Sequence, residues 1–287
     1  MSCCETLPDH VYPPVIPDDF EETPVASVPY QVNNLTSKRF AVVLDCEMVG
    51  VEGNASELAQ LCVVDFLTGE TLINKLVQPT KRVIDWRSQY SGIQPSAMRR
   101  AVKNNQALRG WKEAQLELWK YIDSNTILVG HSMQHDLKAL HLIHPRILDT
   151  SIMTRMAVDH ECLRNWGLKT LCAELLSRDV QNHGRAGHDC VEDTMATREV
   201  FLTCILQPEI LARWAIVKRA EEQEKAAQRE IEKAARKERM KEQSNAYNGG
   251  FDSELDEPSE VEVLRWEDIA EDLGWPHPDT GYDPWSD

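Results

Sequence analysis

The sequence lacks the features that mark membrane and secreted proteins. Its 287 residues contain no run of about 18 apolar residues that could span a bilayer. The start, MSCCETLPDH, has neither the charged nor the apolar region of a signal peptide. The eight cysteines include no C-x2-C pair, and most lie inside apolar runs, which indicates buried thiols in a reducing compartment. We therefore expect a soluble intracellular protein of the nucleus or cytoplasm, with no membrane partner.

Positive charge is scarce over the whole chain, whose formal net charge is -16. Polyanion binding normally needs a basic surface, so this charge argues against a nucleic-acid enzyme until it is divided by segment. Residues 1–37 contain six acids and no base, and residues 244–287 contain thirteen acids and one base. Residues 38–218 contain 22 Lys and Arg against 21 Asp and Glu. The acidity therefore lies at the two ends.

One stretch in the middle, residues 81–112, is strongly basic. It contains a single acid, Asp85. A merely solvated charged surface is common for single basic residues and less expected for eight bases against one acid. We predict that this stretch binds the phosphates of a nucleic acid. Its bases are Lys81, Arg82, Arg87, Arg99, Arg100, Lys103, Arg109 and Lys112.

Composition divides the chain into four segments. Residues 1–37 are acidic and rich in proline, which predicts a disordered arm, and residues 38–215 hold the apolar runs of a folded domain. Residues 216–243 predict a charged helix, either solvated or part of a weak coiled coil. Residues 244–287 predict a disordered acidic tail that contains tryptophans. Its residues 252–287 could solubilise the chain, dock a protein partner or fold back on the basic stretch.

Short apolar runs and helical periods alternate within the domain. FAVVLDCEMVG, ELAQLCVVDF and TLINKLVQP, separated by turn residues, predict three consecutive strands. TILVGHS and RILDT predict two more, each followed by a helix, the first of them in MQHDLKALHLI. Further helices are predicted at 107–122, at 168–176 and from residue 189. This order predicts an α/β protein with a mixed sheet, an antiparallel meander followed by parallel strands, flanked by helices.

Two acids stand inside the first predicted strand. Strand alternation sends Asp45 and Glu47 out on the same face, while Cys46 points the other way. Two carboxylates in a mostly buried strand repel, and a hard divalent cation with oxygen ligands is the usual compensation. An edge strand whose acids face water is the alternative. The apolar sequence on both sides favours the metal site.

A third acid, Asp136, follows the strand TILVG and falls in the first turn of the next predicted helix. This position is near the carboxyl ends of the strands, where open α/β sheets place their ligands. An acid near a helix start is usually only a favourable dipole interaction. Its candidacy rests on its partnership with the other acids.

The last two candidates straddle a predicted helix start. Asp189-x-x-Glu192 has the pattern of a capping box, which places His188 just before the helix and Asp193 one turn inside it. Neighbouring glycines would let this loop move or let its backbone approach a ligand. Those glycines are Gly184 and Gly187.

Four carboxylates and one histidine fit phosphodiester hydrolysis by two divalent metal ions, Mg2+ or Mn2+, held roughly 4 Å apart. Asp45 would bridge both ions. Glu47 and Asp193 would mainly hold the ion that activates water, and Asp136 would support the other. His188, with an ordinary pKa of about 6.5, would accept the proton of the water as general base.

Several motifs occur in order between Phe40 and Leu206: LDCEMVG, YSGI, LVGHSMQHDLKAL, LDT and HDCVED. Over this range the chain resembles the DEDDh 3'→5' exonucleases, which have a ribonuclease H-like three-layer fold. It is most similar to the eukaryotic RNA exonuclease 4 and interferon-stimulated exonuclease subgroup. The resemblance implies release of nucleoside 5'-monophosphates from the 3' ends of single-stranded RNA. It also implies metal-ligand roles for the four acids and the base role for His188.

The resemblance also bears on substrate contacts. Met48 would pack against the terminal nucleotide, and a core methionine is the alternative interpretation. Gln60 stands where many subgroup members have an arginine, so a single-stranded DNA exonuclease is the alternative to an RNA enzyme. A scaffold protein acting through its charged helix and tail is a second alternative, which loss of any site residue would favour. The residues expected to contact substrate are Met48, Gln60, Arg87, Ser91 and His131.

Overall fold

The structure, a computed structural model, describes residues 20–25, 38–181 and 187–248. Its strands are β1 (Glu21–Glu22), β2 (Ala41–Val51), β3 (Ala55–Asp65), β4 (Thr71–Gln78), β5 (Val83–Asp85), β6 (Leu108–Arg109), β7 (Ile127–Gly130), β8 (Leu142–Ile143) and β9 (Ile147–Asp149). Its helices are α1 (Ser88–Ser91), α2 (Pro95–Lys103), α3 (Gly110–Leu118), α4 (Gln134–Ala139), α5 (Thr150–Val158), α6 (Leu168–Leu176), α7 (Cys190–Leu206) and α8 (Pro208–Asn248).

The central sheet has the strand order β6-β4-β3-β2-β7-β9, and β5 pairs with the end of β2. Strands β2, β3 and β4 form an antiparallel meander, whereas β7 and β9 are added in parallel beside β2. The predicted mixed sheet is therefore confirmed. Its centre is β2, whose β-branched and apolar residues are buried because helices cover both faces of the sheet.

Strand alternation divides the side chains of β2 between two layers. Leu44 and Cys46 join the main core, which also contains Leu118 of α3 and Leu137 of α4. Val43 faces the opposite side, where Phe201 of α7 packs. The protein is thus a three-layer α/β structure, and the odd-numbered residues of β2 lie on the face that α7 covers.

The amino-terminal arm differs from its prediction at residues 20–25. β1 pairs in parallel with β8, and the Thr23 hydroxyl lies 2.9 Å from Nδ1 of the buried His144. The same pairing explains why the run MQHDLKALHLI is not helical throughout. Its helix ends at Ala139 because Leu142 and Ile143 form the strand that receives β1. The rest of residues 1–37 lies outside the described residues.

The charged helix predicted over residues 216–243 is part of the longer α8. Trp214 lies in its first turns and is buried, with Nε1 donating to Glu174 at 2.6 Å, whereas most of the later side chains are exposed. Across the described ranges no single helix is long and apolar enough to cross a membrane. Only α7 and α8 together, bent by 99°, reach that composition. The tail beyond Asn248, with its predicted partner site at 252–287, lies outside the described residues.

Candidate active site

Asp45 and Glu47 lie side by side on the α7 face of β2. Asp45 pairs across the sheet with Cys62, and Glu47 pairs with Gln60. A ligand atom from each acid and the Cys190 sulfur lie within 4.8 Å of one another. The predicted shared face is therefore observed, because the strand stays regular as far as Glu47. The register shifts only beyond it, between Glu47 and Met48.

Asp136 reaches the same region from α4. Its side chain is buried beside the thiol and the backbone of Cys46. Burial raises the pKa of Asp136 well above its ordinary value, and the nearby Asp45 raises it further. Asp136 therefore approaches β2 beside Cys46, although the Cys46 side chain points away from Asp45 and Glu47.

Asp193 and His188 approach from the start of α7. The Asp189 side chain caps this helix by accepting from the N–H groups of Val191 and Glu192. Asp193 is buried one turn inside, and its Oδ2 lies 3.2 Å from Nδ1 of His188. This hydrogen bond is the main cause that raises the pKa of His188. The predicted helix start is confirmed, and it places the histidine against the carboxylate.

The backbone around Gly187 holds His188 in place. The His188 N–H donates to the Tyr90 carbonyl at 2.6 Å, so this segment is fastened to α1. Gly187 has a φ of +83°, and a Cβ there would lie 2.3 Å from Gly92 N and Ser88 O. Glycine is therefore needed here because the backbone before His188 packs closely against the backbone of α1, and not because a ligand approaches it. Gly184 lies outside the described residues.

The electrostatics of the site call for a cation. The pKa of Glu47 is raised to about 10, first by burial and then by the charges of Asp45, Asp193 and Asp136. Among the described residues, Oδ1 of Asp193 is buried and has no hydrogen-bond partner. Such an atom is costly unless a ligand pairs with it. Clustered carboxylate oxygens, one of which has no hydrogen-bond partner, fit the binding of a hard divalent cation.

Cys190 belongs to this cluster and was missed by the sequence analysis, which treated the cysteines as ordinary buried thiols. Its sulfur lies 3.5 Å from the Asp45 carbonyl oxygen. Burial raises the pKa of Cys190 well above its ordinary value, so the group is a thiol. A thiol is a poor ligand for a hard cation, and we assign Cys190 to packing beneath the acids. Its position between His188 and Asp193 is the only signal that could have drawn attention to it.

Two of the predicted substrate residues line a cleft beside His188. The cleft has a volume of about 450 Å³ and includes Gln60 and Ser91 among its walls. Gln60 Nε2 donates to Asn74 Oδ1 at 2.9 Å. The buried Ser91 hydroxyl donates to the Trp86 carbonyl, so it supports the turn around α1.

The other three predicted substrate residues are placed differently. Met48 is partly buried and packs against the main core. Arg87 begins α1, in the left-handed region at φ 47°. The His131 ring lies 2.8 Å from the Thr150 hydroxyl. Over the described ranges none of the three lines the cleft beside His188, and their contact with substrate stays a prediction.

The model of the RNase_T exonuclease family matches residues 42–201. RNA exonuclease 3 of Candida albicans is 30% identical over 204 residues, which cover 69% of this chain and 46% of the relative. RNA exonuclease 4 of Saccharomyces cerevisiae is 35% identical over 177 residues, 60% of this chain and 57% of the relative. Interferon-stimulated 20 kDa exonuclease-like 2 of Bos taurus is 36% identical over 166 residues, 56% of this chain and 45% of the relative. The chain spans about half the length of these curated relatives.

Solved structures agree on the fold. The Neurospora crassa Pan2 catalytic unit, with its protease and nuclease domain, is 20% identical with a TM-score of 0.53, over 70% of this chain and 32% of that chain. The apo Pan2 pseudoubiquitin hydrolase-RNA exonuclease module of Saccharomyces cerevisiae, in complex with AAGGAA RNA, is 19% identical with a TM-score of 0.54, over 67% of this chain and 34% of that chain. The resemblance seen in the motifs is confirmed. The chain belongs to the RNase_T exonuclease family and has its ribonuclease H-like fold.

Proposed function

We propose that this protein is a 3'→5' exoribonuclease that releases nucleoside 5'-monophosphates from single-stranded RNA. The observation that carries the proposal is the convergence of four carboxylates, three from β2 and α4 and one from α7, with His188 held against Asp193. Buried carboxylates that repel one another and a paired histidine suit metal-assisted phosphodiester hydrolysis.

The acids have the composition of a metal site. Asp45, Glu47, Asp136 and Asp193 would hold two divalent ions, Mg2+ or Mn2+, and Asp193 has a buried Oδ1 without a hydrogen-bond partner in the described part of the chain. When bound, such ions supply an activated water and stabilise the charge that develops on the leaving oxygen. Asp193 thus serves both as a ligand and as the partner that orients the His188 ring.

His188 is the proposed general base. Its Nδ1 faces Asp193, which leaves Nε2 as the atom that accepts the proton of the attacking water. The hydrogen bond to Asp193 raises the pKa of His188 and so makes it the stronger base. The backbone contact to Tyr90 fixes the distance between this ring and the cleft.

RNA is the proposed substrate because several relatives are named RNA exonucleases, and one structural neighbour was solved with AAGGAA RNA. Single-stranded DNA is the alternative, since Gln60 is a neutral amide bonded to Asn74 and supplies no charge in the cleft. An oligonucleotide pair of one sequence, RNA and DNA, separates the two. Location in the nucleus or cytoplasm stays a prediction.

The decisive experiment follows metal-dependent degradation of RNA that is free, 3'-blocked or 5'-blocked, with Mg2+ or Mn2+. We expect digestion of free and 5'-blocked RNA, and protection of 3'-blocked RNA. Asp45→Ala and His188→Asn should each abolish most release, whereas His160→Asn, at an exposed histidine, should not. Equal digestion of 3'-blocked RNA would overturn the polarity, and full activity of Asp45→Ala would overturn the site.

A further inference from the structure

The sheet face that carries the acids continues across the neighbouring strands. Residues that pair in antiparallel strands share a face, and Glu47 pairs with Gln60, which in turn pairs with Leu76 of β4. At the edge, Gln78 pairs with Arg109 of β6. A surface therefore runs from Glu47 through β3 and β4 to a basic residue on the edge strand.

This surface forms a groove between β4, α2 and the residues that lead into β6. The groove has a volume of about 860 Å³. It shares three wall residues with the cleft beside His188, namely Asn74, Leu76 and Ala97. The cleft and the groove are therefore continuous, so one extended ligand can occupy both.

The walls of the groove suit a polyanion. Arg100 of α2 is exposed and, over the described ranges, forms no ion pair. The Arg109 Nε lies 3.9 Å from Oε1 of Glu113, which is a weak contact because both side chains are exposed. Lys75 also borders the groove, but its Nζ is bound by Glu117 at 2.9 Å. Two arginines are thus available for phosphates, beside the amides of Asn74 and Gln78.

The opposite side of α2 offers a comparison. Arg99, next to Arg100 in the sequence, lines a second hollow with Lys81 and Lys103, and this hollow adjoins the groove at Gln78 and Val102. That hollow has no wall residue in common with the cleft beside His188. Arg99 and Arg100 therefore lie on different faces of α2, and only the groove on the Arg100 face shares walls with the cleft beside His188.

We propose that the groove with Arg100 and Arg109 binds the backbone of the nucleotides that lie 5' to the end being cleaved. The proposal rests on the exonuclease function proposed above and adds the path of the strand. A charged groove that tracks the backbone is how proteins hold single strands without reading their sequence. Substrates longer than the cleft gain affinity from this groove, whereas a trinucleotide does not reach its arginines.

The test compares kcat/KM on a uridine trinucleotide and a uridine dodecamer for wild type, Arg100→Glu, Arg109→Glu and Arg99→Glu. Loss of one phosphate contact at about 0.1 M salt weakens single-strand binding roughly fivefold, and charge reversal weakens it more. We therefore expect Arg100→Glu and Arg109→Glu to lower kcat/KM about fivefold to tenfold on the dodecamer and less than twofold on the trinucleotide. Arg99→Glu should lower the dodecamer value less than Arg100→Glu does, because Arg99 lines the hollow that does not reach the cleft beside His188.

Salt dependence provides a readout that a structural defect would not reproduce. Arg100→Ala should reduce the slope of log KM against log salt on the dodecamer by about 0.7, with kcat unchanged. Equal losses on both lengths, or equal effects of Arg99→Glu and Arg100→Glu, would overturn the groove and leave the exonuclease intact. Failure of the wild type to release nucleotides from either oligonucleotide would instead overturn the proposed function.

Discussion

The Asp149 carboxylate accepts a hydrogen bond from the backbone N–H of Met133 at 2.8 Å. It also accepts from the N–H of Ser132 and from the N–H and hydroxyl of Ser151. One buried side chain thus joins the end of β9 to the loop between β7 and α4. That loop ends three residues before Asp136, so Asp149 positions the third acid of the candidate site.

Asp149→Asn should weaken this link, because an amide places a donor against backbone donors. We expect the free energy of unfolding to fall by about 1–3 kcal/mol and kcat to fall as well, since Asp136 loses its support. Asp159→Asn is the matched control, because the exposed Asp159 accepts from Glu161 N–H in a turn that Asn also tolerates. Urea unfolding measures the free energy of unfolding of each variant, and steady-state kinetics measure its kcat. Wild-type values for Asp149→Asn would refute the positioning role.

Gly187→Ala should displace His188. A Cβ at this position would lie 2.3 Å from the backbone of α1, in addition to the strain at φ +83°. We expect kcat to drop roughly 10–100-fold, because small misplacements of a catalytic group are costly. Gly53→Ala is the control for backbone strain alone, since Gly53 has φ +86° and nothing lies within 4 Å of its Cβ position. If both variants lower kcat equally, close approach at Gly187 is not what places the histidine.

Divalent metal should stabilise the fold. Burial, and then the charges of the neighbouring acids, raise the pKa of Glu47 to about 10. A bound cation relieves that repulsion, so Mg2+ or Mn2+ should raise the Tm. For one site, ligand at 100 times its Kd contributes about 2.7 kcal/mol. Asp193→Asn should lose most of this gain and Asp179→Asn, at an exposed position, should keep it. NaCl of equal ionic strength controls for screening, and an unchanged Tm with metal would count against the site.

The folded protein should lose stability as the pH is lowered, because His144 is buried in its neutral form. Burial lowers the pKa of this histidine from 6.5 to about 4, while its Nε2–H donates to the Thr126 carbonyl. The unfolded chain therefore binds this proton at a higher pH than the folded chain, and stability present above pH 6.5 is lost toward pH 4. The interval from 6.5 to about 4 corresponds to about 3 kcal/mol at most.

The variant His144→Gln tests the origin of this dependence. Its unfolding free energy should change less between pH 7 and pH 4.5 than that of wild type, because the titrating ring is absent. Denaturant unfolding at several pH values measures the slope. Parallel slopes for the two proteins would assign the pH dependence to other groups.

Local backbone rules were enough to predict several features. Alternation along a strand has a period of two residues whatever packs against it, so Asp45 and Glu47 share a face as expected. Helix capping is equally local, which is why Asp189 begins α7 and brings Asp193 one turn inside. The motifs built on these elements were also sufficient to recognise the family.

Contacts between distant segments could be decided only by the tertiary structure. Residues 20–25 look too polar to form ordered structure alone. They are ordered because β1 pairs with the edge of β8. The bases of residues 81–112 form one run in the sequence, but α2 sends Arg99 and Arg100 into different hollows. Likewise, sequence spacing carries no sign that Asp149 supports the loop before Asp136. Each of these outcomes depends on long-range pairing, whose partners no local pattern specifies.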